Sequence, residues 1–269
     1  MTQQFETLLF DKTPDKVATI TINRPDRANT FNRKMCDEFR YLWREISEDG
    51  EINAIVLRAA EGKAFSAGVD STMLGAINAD GILLSNHLWG MRDPGEALSP
   101  KFNHCWKPMI CAVHGICAGG ALYFINESDV VICSPEAQFV DPHVTYGMTS
   151  AVEPIGLRWR IPMTEVLRMS LMGNDERLGA ETALRISLVS EIVERERLWA
   201  RAHEIAAKIA AKPTAATQGT VRAMWESLDM TRTVGINNAL KYCVIGNPEG
   251  EKEIDIPAAL KTKQPFTVR

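Results

Sequence analysis

Lys107-Pro-Met-Ile-Cys-Ala-Val-His-Gly-Ile-Cys-Ala-Gly-Gly-Ala-Leu-Tyr123 is the stretch on which the reading of this chain turns. It reads as an apolar strand that turns at His114-Gly115 and enters a helix through Gly119-Gly120. A helix that begins at paired glycines presents free backbone N–H groups and the positive end of its dipole. It can therefore hold an oxygen that becomes negative during a reaction. A proton-transferring carboxylate would be useful on the first turn of that helix, and the side chain expected there is Tyr123. Pro108 to Ile125 runs for 18 residues without a formal charge, at the lower edge of a membrane span. Pro108, His114 and three glycines divide it into a β-rich half and a helical half, so a buried strand-turn-helix unit is expected instead.

Upstream, Val17-Ala-Thr-Ile-Thr-Ile-Asn23 alternates as a strand and stops at Arg24-Pro25. Residues 29–48 predict an amphipathic helix, with Phe31, Met35, Phe39, Leu42 and Ile46 three and four positions apart. Ile55-Val-Leu-Arg58 is a second buried strand. Ala64-Phe-Ser-Ala-Gly-Val-Asp70 opens a long, partly helical region reaching to about residue 100. Val130-Val-Ile-Cys133 is a further short strand. Strands alternating with helices make the chain α/β. After Ile161-Pro162 helices are expected at 164–171, 179–185, 198–211, 213–228 and 231–244, interrupted by a strand-like run at Leu188-Val-Ser-Glu-Ile-Val193. The organisation expected is a core over residues 1–199 and a helical region over 200–269 that covers a ligand site or an oligomer interface.

The bulk numbers narrow the function. The 269 residues are 45% hydrophobic and 24% charged with a net charge of -4, which gives no pull toward nucleic acid or anionic membrane. Cys36, Cys105, Cys111, Cys117, Cys133 and Cys243 are scattered without metal-ligand spacing and read as reduced thiols; no metal site is expected. The first residues lack the basic start and apolar stretch of a secretory signal, which predicts a cytoplasmic protein. Gly115-x-x-x-Gly119-Gly120 also lacks the spacing of a dinucleotide-binding loop.

Six motifs in order resemble the crotonase, or enoyl-CoA hydratase/isomerase, superfamily over about residues 8 to 228. They are Ile20-Thr-Ile-Asn-Arg-Pro25, Ala64 to Asp70, Lys107 to Gly115 with Gly119-Gly120, Ser128-Asp129-Val130, Ala137-Gln-Phe139, and Ala180-x-x-Ala-Leu-x-x-x-Leu-Val189. The resemblance implies a spiral of ββα turns with two roughly perpendicular sheets, homotrimers or hexamers, and an acyl-CoA substrate. Coenzyme A would be part of that substrate, and no separate cofactor is expected. It also implies an oxyanion hole made by the N–H groups of Val69 and Gly120, 51 positions apart. The family's coenzyme A contacts map to Arg27 and Ala28 and to the backbone around Ser66, Ala67 and Asp70. For Arg27 the alternative is a solvated turn residue.

Family hydratases use two glutamates, and the matching positions here hold Tyr123 and His143. His143 is the expected acid–base residue because its ordinary pKa lies near neutrality; the alternative is a buried histidine bound to backbone. Glu153, set among Ala, Val, Pro and Ile, lies where other branches place a carboxylate; the alternative is an ion pair with Arg158 or Arg160. Tyr123 either donates to substrate or fills the volume of a glutamate. Asp141 could orient His143 if the backbone at Pro142 allows it. His114 reads as structural and His203 as a surface residue.

The expected activity is transformation of an acyl-CoA through a thioester enolate with non-standard acid–base residues. Two alternatives stand beside it: hydrolysis of a carbon–carbon bond in a β-dicarbonyl compound, and acyl-CoA binding without catalysis. Leu74, Leu83, Leu84, Leu88, Trp89 and Met91 point to a bulky apolar acyl group or to a subunit contact.

Overall fold

The structure, a computed structural model, describes residues 4–74 and 93–262 together with Phe266 and Val268. The side chain of Leu74 and the residues Leu83, Leu84, Leu88, Trp89 and Met91, expected near the acyl group, lie outside the described residues.

Strand β1 (Leu8–Lys12) pairs antiparallel with β2 (Val17–Ile22). The chain then turns at Arg24-Pro25 and reaches helix α1 (Arg33–Glu48). The sequence places the start of α1 at residue 29, four positions early. Ala28 and Asn29 adopt left-handed backbone (φ 50° and 54°), and the Asn29 side chain accepts from the N–H of Arg24 (3.0 Å) and donates to the carbonyl of Ala64 (3.0 Å). Asn32 caps the helix by accepting from the N–H of Met35 (2.9 Å). Phe31, expected as the first apolar position of α1, therefore precedes it in extended backbone. From Met35 onward the apolar face is buried as the spacing predicts.

The rest of the core is built by pairs of strands that divide between two sheets. Strands β3 (Ala54–Ala59) and β4 (Ala64–Ser66) form the first pair, followed by the helical segments α2 (Ser71–Leu74) and α3 (Pro94–Leu98). Strands β5 (Met109–Val113) and β6 (Ile116–Ala118) form the second, followed by α4 (Leu122–Asn126). Strands β7 (Val130–Cys133) and β8 (Gln138–Val140) form the third, followed by α5 (Val152–Leu157) and α6 (Met163–Met172). The first strand of each pair joins a sheet ordered β1-β2-β3-β5-β7-β10, closed by β10 (Glu191–Ile192). The second strand joins a smaller sheet ordered β4-β6-β8-β9, closed by β9 (Leu178–Gly179), after which α7 (Ala180–Arg185) follows. Within each sheet the consecutive turns run parallel, so the chain advances as a ββα spiral. Strand β6 lies between the His114 turn and the glycine helix, where the sequence predicts no strand. Three residues are too few to show alternation.

Helix α8 (Leu198–Ala210) lies on the larger sheet. Its Leu198, Ala202, Ala206 and Ala210 form a second core with Val17, Ala54, Val56, Ile110, Ala112 and Ile132. The expected boundary at residue 200 falls inside this helix. Helices α9 (Thr214–Ser227) and α10 (Arg232–Glu251) pack chiefly on each other, and α11 (Ile256–Lys261) follows. Trp225 of α9 is tied to the core by its indole N–H, which donates to Asp129 (2.6 Å). Helix α10 runs beyond the expected end at residue 244, and its Gly246 and Gly250 lie against Ala215, Ala216 and Pro213. Among the described residues no helix is long and apolar enough to cross a membrane.

Candidate active site

The small sheet explains how distant residues meet. β4, β6 and β8 are adjacent and parallel, with Ser66 opposite Cys117 and Ala118 opposite Val140. Their C-terminal ends therefore lie side by side. Just beyond them come Gly68-Val69, Gly119-Gly120 and Asp141-Pro142-His143 respectively.

The first two segments touch. Gly68 has a φ of 88°, and a Cβ added there would lie 2.6 Å from the carbonyl oxygen of Ala118 and 3.2 Å from the amide nitrogen of Gly120. Only glycine permits this approach. Val69 forms a parallel bridge with Phe31, made by the N–H of Phe31 on the carbonyl of Gly68 (2.9 Å) and the N–H of Asp70 on the carbonyl of Phe31 (2.8 Å). Neither of these two bonds uses the N–H of Val69. Gly120 lies in the first helical turn (119–121), where N–H groups have no partner within the helix. The two expected oxyanion donors thus sit on abutting segments.

His143 joins them. A Cβ on Gly119 would lie 3.8 Å from Cε1 of its imidazole. Pro142 carries the chain into a short turn at His143–Tyr146, which folds His143 back over Asp141. The imidazole Nδ1 is 2.5 Å from Oδ1 of Asp141, and the backbone N–H of His143 donates to the same oxygen at 3.2 Å. Asp141 is fully buried, and its other oxygen accepts from the Ser150 hydroxyl. Burial alone would raise the Asp141 pKa, but the bonds from His143 and Ser150 outweigh it and hold the carboxyl below its usual range. Reciprocally, Asp141 raises the pKa of His143 against the opposing effect of burial, with Glu153 adding to the rise.

Glu153 comes from α5, which packs on α4. The Asn126 side chain of α4 donates to the Glu153 carbonyl (2.9 Å) and lies where a side chain on Gly156 would be. The carboxylate, buried at 5% exposure, places Oε1 3.7 Å from Nε2 of His143. Burial raises its pKa, opposed by the positive charge of His143 and by the phenol of Tyr123. The ion pair with an arginine is absent among the described residues: Arg160 donates to the carbonyls of Asn126 and Ser128, and Arg158 lies against Trp159. Tyr123 is buried, and its pKa is pushed far up by burial first and then by the carboxylates of Glu153 and Asp93, which its phenol faces.

The residues expected at coenzyme A lie on the segments around residues 27–28 and 66–70, which contact each other. Arg27 and Ala28 are exposed, and the carbonyl of Ala28 accepts from the N–H of exposed Ala67 (3.0 Å). Ser66 is buried and its hydroxyl accepts from the N–H of Gly68 (3.2 Å). The Asp70 carboxylate is turned inward to Arg24 (2.8 Å). His114 is remote, buried against the edge of Trp199, with burial pulling its pKa down to about 4. His203 pairs at the surface with Asp15 (2.9 Å). Among the described residues no group of His, Cys, Asp and Glu could hold a metal ion. The sequence reading missed Ser150, Asp93 and the bridging role of Phe31. Asp93-Pro94 does carry a local sign, since aspartate before proline is a helix N-cap, and its side chain accepts from the N–H of Gly95 (2.7 Å).

The chain is similar to known proteins over most of its length. The enoyl-CoA hydratase/isomerase family model matches residues 12–244. A short-chain-enoyl-CoA hydratase of Clostridium acetobutylicum is 33% identical over 196 residues, 72% of each chain. An (E)-benzylidenesuccinyl-CoA hydratase of Thauera aromatica is 30% identical over 88% of this chain and 90% of its own. Among solved structures, an enoyl-CoA hydratase/isomerase from Mycobacterium paratuberculosis superposes with a TM-score of 0.87, 31% identity and 98% coverage of both chains. A spiral of this topology, abutting segments that carry two backbone donors, and relatives matched over most of their length lead to one conclusion: the chain belongs to the enoyl-CoA hydratase/isomerase family of enzymes.

Proposed function

We propose that this enzyme transforms an acyl-CoA through a thioester enolate, with His143 and Glu153 as its acid–base pair. The observation that carries the reading is their mutual approach, Nε2 to Oε1 at 3.7 Å, beside the segments bearing Val69 and Gly120. Glu153 as carboxylate removes a proton from the carbon next to the thioester carbonyl. The carbonyl oxygen becomes anionic and accepts from the N–H groups of Val69 and Gly120. In an isomerisation His143, with its tautomer set by Asp141, returns a proton to the enolate; in a hydration it takes the proton from the water that attacks the β carbon, and Glu153, entering as the carboxylic acid, gives a proton to the α carbon of the resulting enolate. Tyr123 stands in place of a first glutamate, donating toward Glu153 and filling the volume. Arg27, Ala28, Ser66, Ala67 and the backbone at Asp70 form the edge on which coenzyme A rests.

The test is exchange of the α-protons of saturated, 2-enoyl- and 3-enoyl-CoA thioesters in deuterated water, read by mass spectrometry alongside turnover. Wild type is expected to exchange, and Glu153→Gln to fall by about 10²–10⁴-fold. Undiminished turnover in a variant carrying both His143→Gln and Glu153→Gln refutes the assignment. A second reading, hydrolysis of a β-dicarbonyl carbon–carbon bond, is favoured by the Asp141–His143 pair, an arrangement suited to taking a proton from water. It yields a product with a new carboxylic acid, which mass analysis separates from a hydration adduct. Acyl-CoA binding without catalysis predicts tight binding and no turnover across the same thioesters. Against it stands Glu153, a buried carboxylate facing His143 for which binding alone has no use.

Copies of the chain are proposed to assemble, as trimer or hexamer, through the outer face of α9 and α10. Met224, Val234, Ile236, Leu240, Val244 and Ile245 there are each at least half exposed. Light scattering of the purified protein tests this.

A further inference from the structure

Resting on the oxyanion hole of that reading, we propose that Phe31 is the positioning residue that sets the spacing between its two donors. Three observations converge on this side chain and its peptide units. First, its N–H and carbonyl bond the two residues that flank Val69: the N–H of Phe31 donates to the carbonyl of Gly68 (2.9 Å), and its carbonyl accepts from the N–H of Asp70 (2.8 Å). Val69 is thereby held by both neighbours, with its own N–H left pointing away from the bridge. Second, the ring of the same residue reaches the other donor. A Cβ added to Gly120 would meet Cε1 and Cζ of Phe31 at 2.7 Å, so the edge of the ring lies flush against the Gly120 backbone. Third, the ring cannot drift, being 1% exposed and packed in a tilted arrangement 6.5 Å from the Tyr123 ring.

One residue therefore grips the first donor segment through its backbone and the second through its side chain. The grip is reinforced next door, where Arg24 pairs with the Asp70 carboxylate (2.8 Å) and donates to the carbonyl of Thr30 (2.7 Å). Two donors converge on one oxygen only if their separation holds to within a few tenths of an ångström, and here a rigid aromatic spacer defines it. A branched or flexible side chain of similar bulk keeps the core filled but lets the Gly120 amide move.

The test uses the full-length protein with Phe31→Leu and Phe31→Met, and reads carbonyl polarisation directly through the ultraviolet red shift of bound cinnamoyl-CoA. Steady-state kinetics with the best thioester substrate and thermal midpoints accompany it. The expected result is a diminished red shift and a kcat lowered by about 10–100-fold, a part of the 10²–10³ lost with a whole donor, with KM within about threefold of wild type. If either variant fails to fold, the other carries the same readout, and Arg24→Lys, which loosens only the Val69 side, is expected to show a smaller loss of the same kind. A red shift and kcat equal to wild type in a folded Phe31 variant overturn the spacer role while leaving the hole intact. No red shift in wild type overturns the hole itself, and the spacer role with it.

Discussion

Replacing Gly68 by alanine strikes the point where the two donor segments touch. The residue sits at φ 88°, and left-handed backbone with a side chain costs roughly 1–2 kcal/mol. The added Cβ would lie 2.6 Å from the Ala118 carbonyl oxygen and 3.2 Å from the Gly120 nitrogen. Both are backbone atoms, so no flexible side chain can swing aside. Carbon and oxygen rest in contact at about 3.3–3.6 Å, so the segments must part by about 0.7–1.0 Å. A donor moved that far from a bond of about 2.9 Å no longer makes one. The expected loss is on the order of 10²–10³ in kcat, about 3–4 kcal/mol of transition-state stabilisation. Overpacking adds about 1–3 kcal/mol to the stability cost. Steady-state kinetics and thermal unfolding measure the two effects separately, with Gly62→Ala as control because nothing lies within 4 Å of its added Cβ. A folded Gly68→Ala enzyme with kcat within about threefold of wild type would refute the reasoning.

Three further outcomes are expected. Asp141→Asn keeps the shape but loses the negative charge and one of the two acceptor oxygens that hold the His143 tautomer, so kcat should drop by on the order of 10²-fold or more with KM little changed; an unchanged kcat would remove Asp141 from the site. Tyr123→Phe removes the phenol that lowers the pKa of Glu153, so the acid limb of the kcat/KM profile should move to higher pH, and a shift to lower pH would contradict the contact. The His143 pKa is raised, so its pairing with Asp141 stabilises the fold fully below the ordinary histidine value of about 6.5 and fades as pH climbs through the elevated value. Glu153, also raised, acts in the same direction. The thermal midpoint should therefore fall as pH rises above about 6.5, less steeply in His143→Gln, and parallel slopes would count against the linkage.

Much of the molecule was legible along the chain. Strand 109–113, the apolar face of α1 and the starts of α6, α8, α9 and α10 follow from periodicity over enough residues for the pattern to declare itself. The three-residue strands β4, β6 and β8 were not legible, because a pattern of period two needs more residues than they contain. Phe31 was misplaced for a different reason. It keeps the helical spacing to Met35, and only the left-handed turn at Ala28 and Asn29, fixed by contacts with Arg24 and Ala64, takes it out of the helix.

By itself the sequence determined the α/β class and the family, and it named the residues now proposed for the chemistry: Gly68-Val69 and Gly119-Gly120 for an oxyanion, His143 and Glu153 for protons. These are local properties of motif and residue type. Only the tertiary structure decided that the loops after β4, β6 and β8 adjoin, that Pro142 turns His143 onto Asp141, and that Glu153 faces His143 instead of Arg158 or Arg160. Those relations depend on parallel pairing and helix packing between segments tens of residues apart. No local pattern encodes such distances, because they are set by which strand ends the sheet brings side by side.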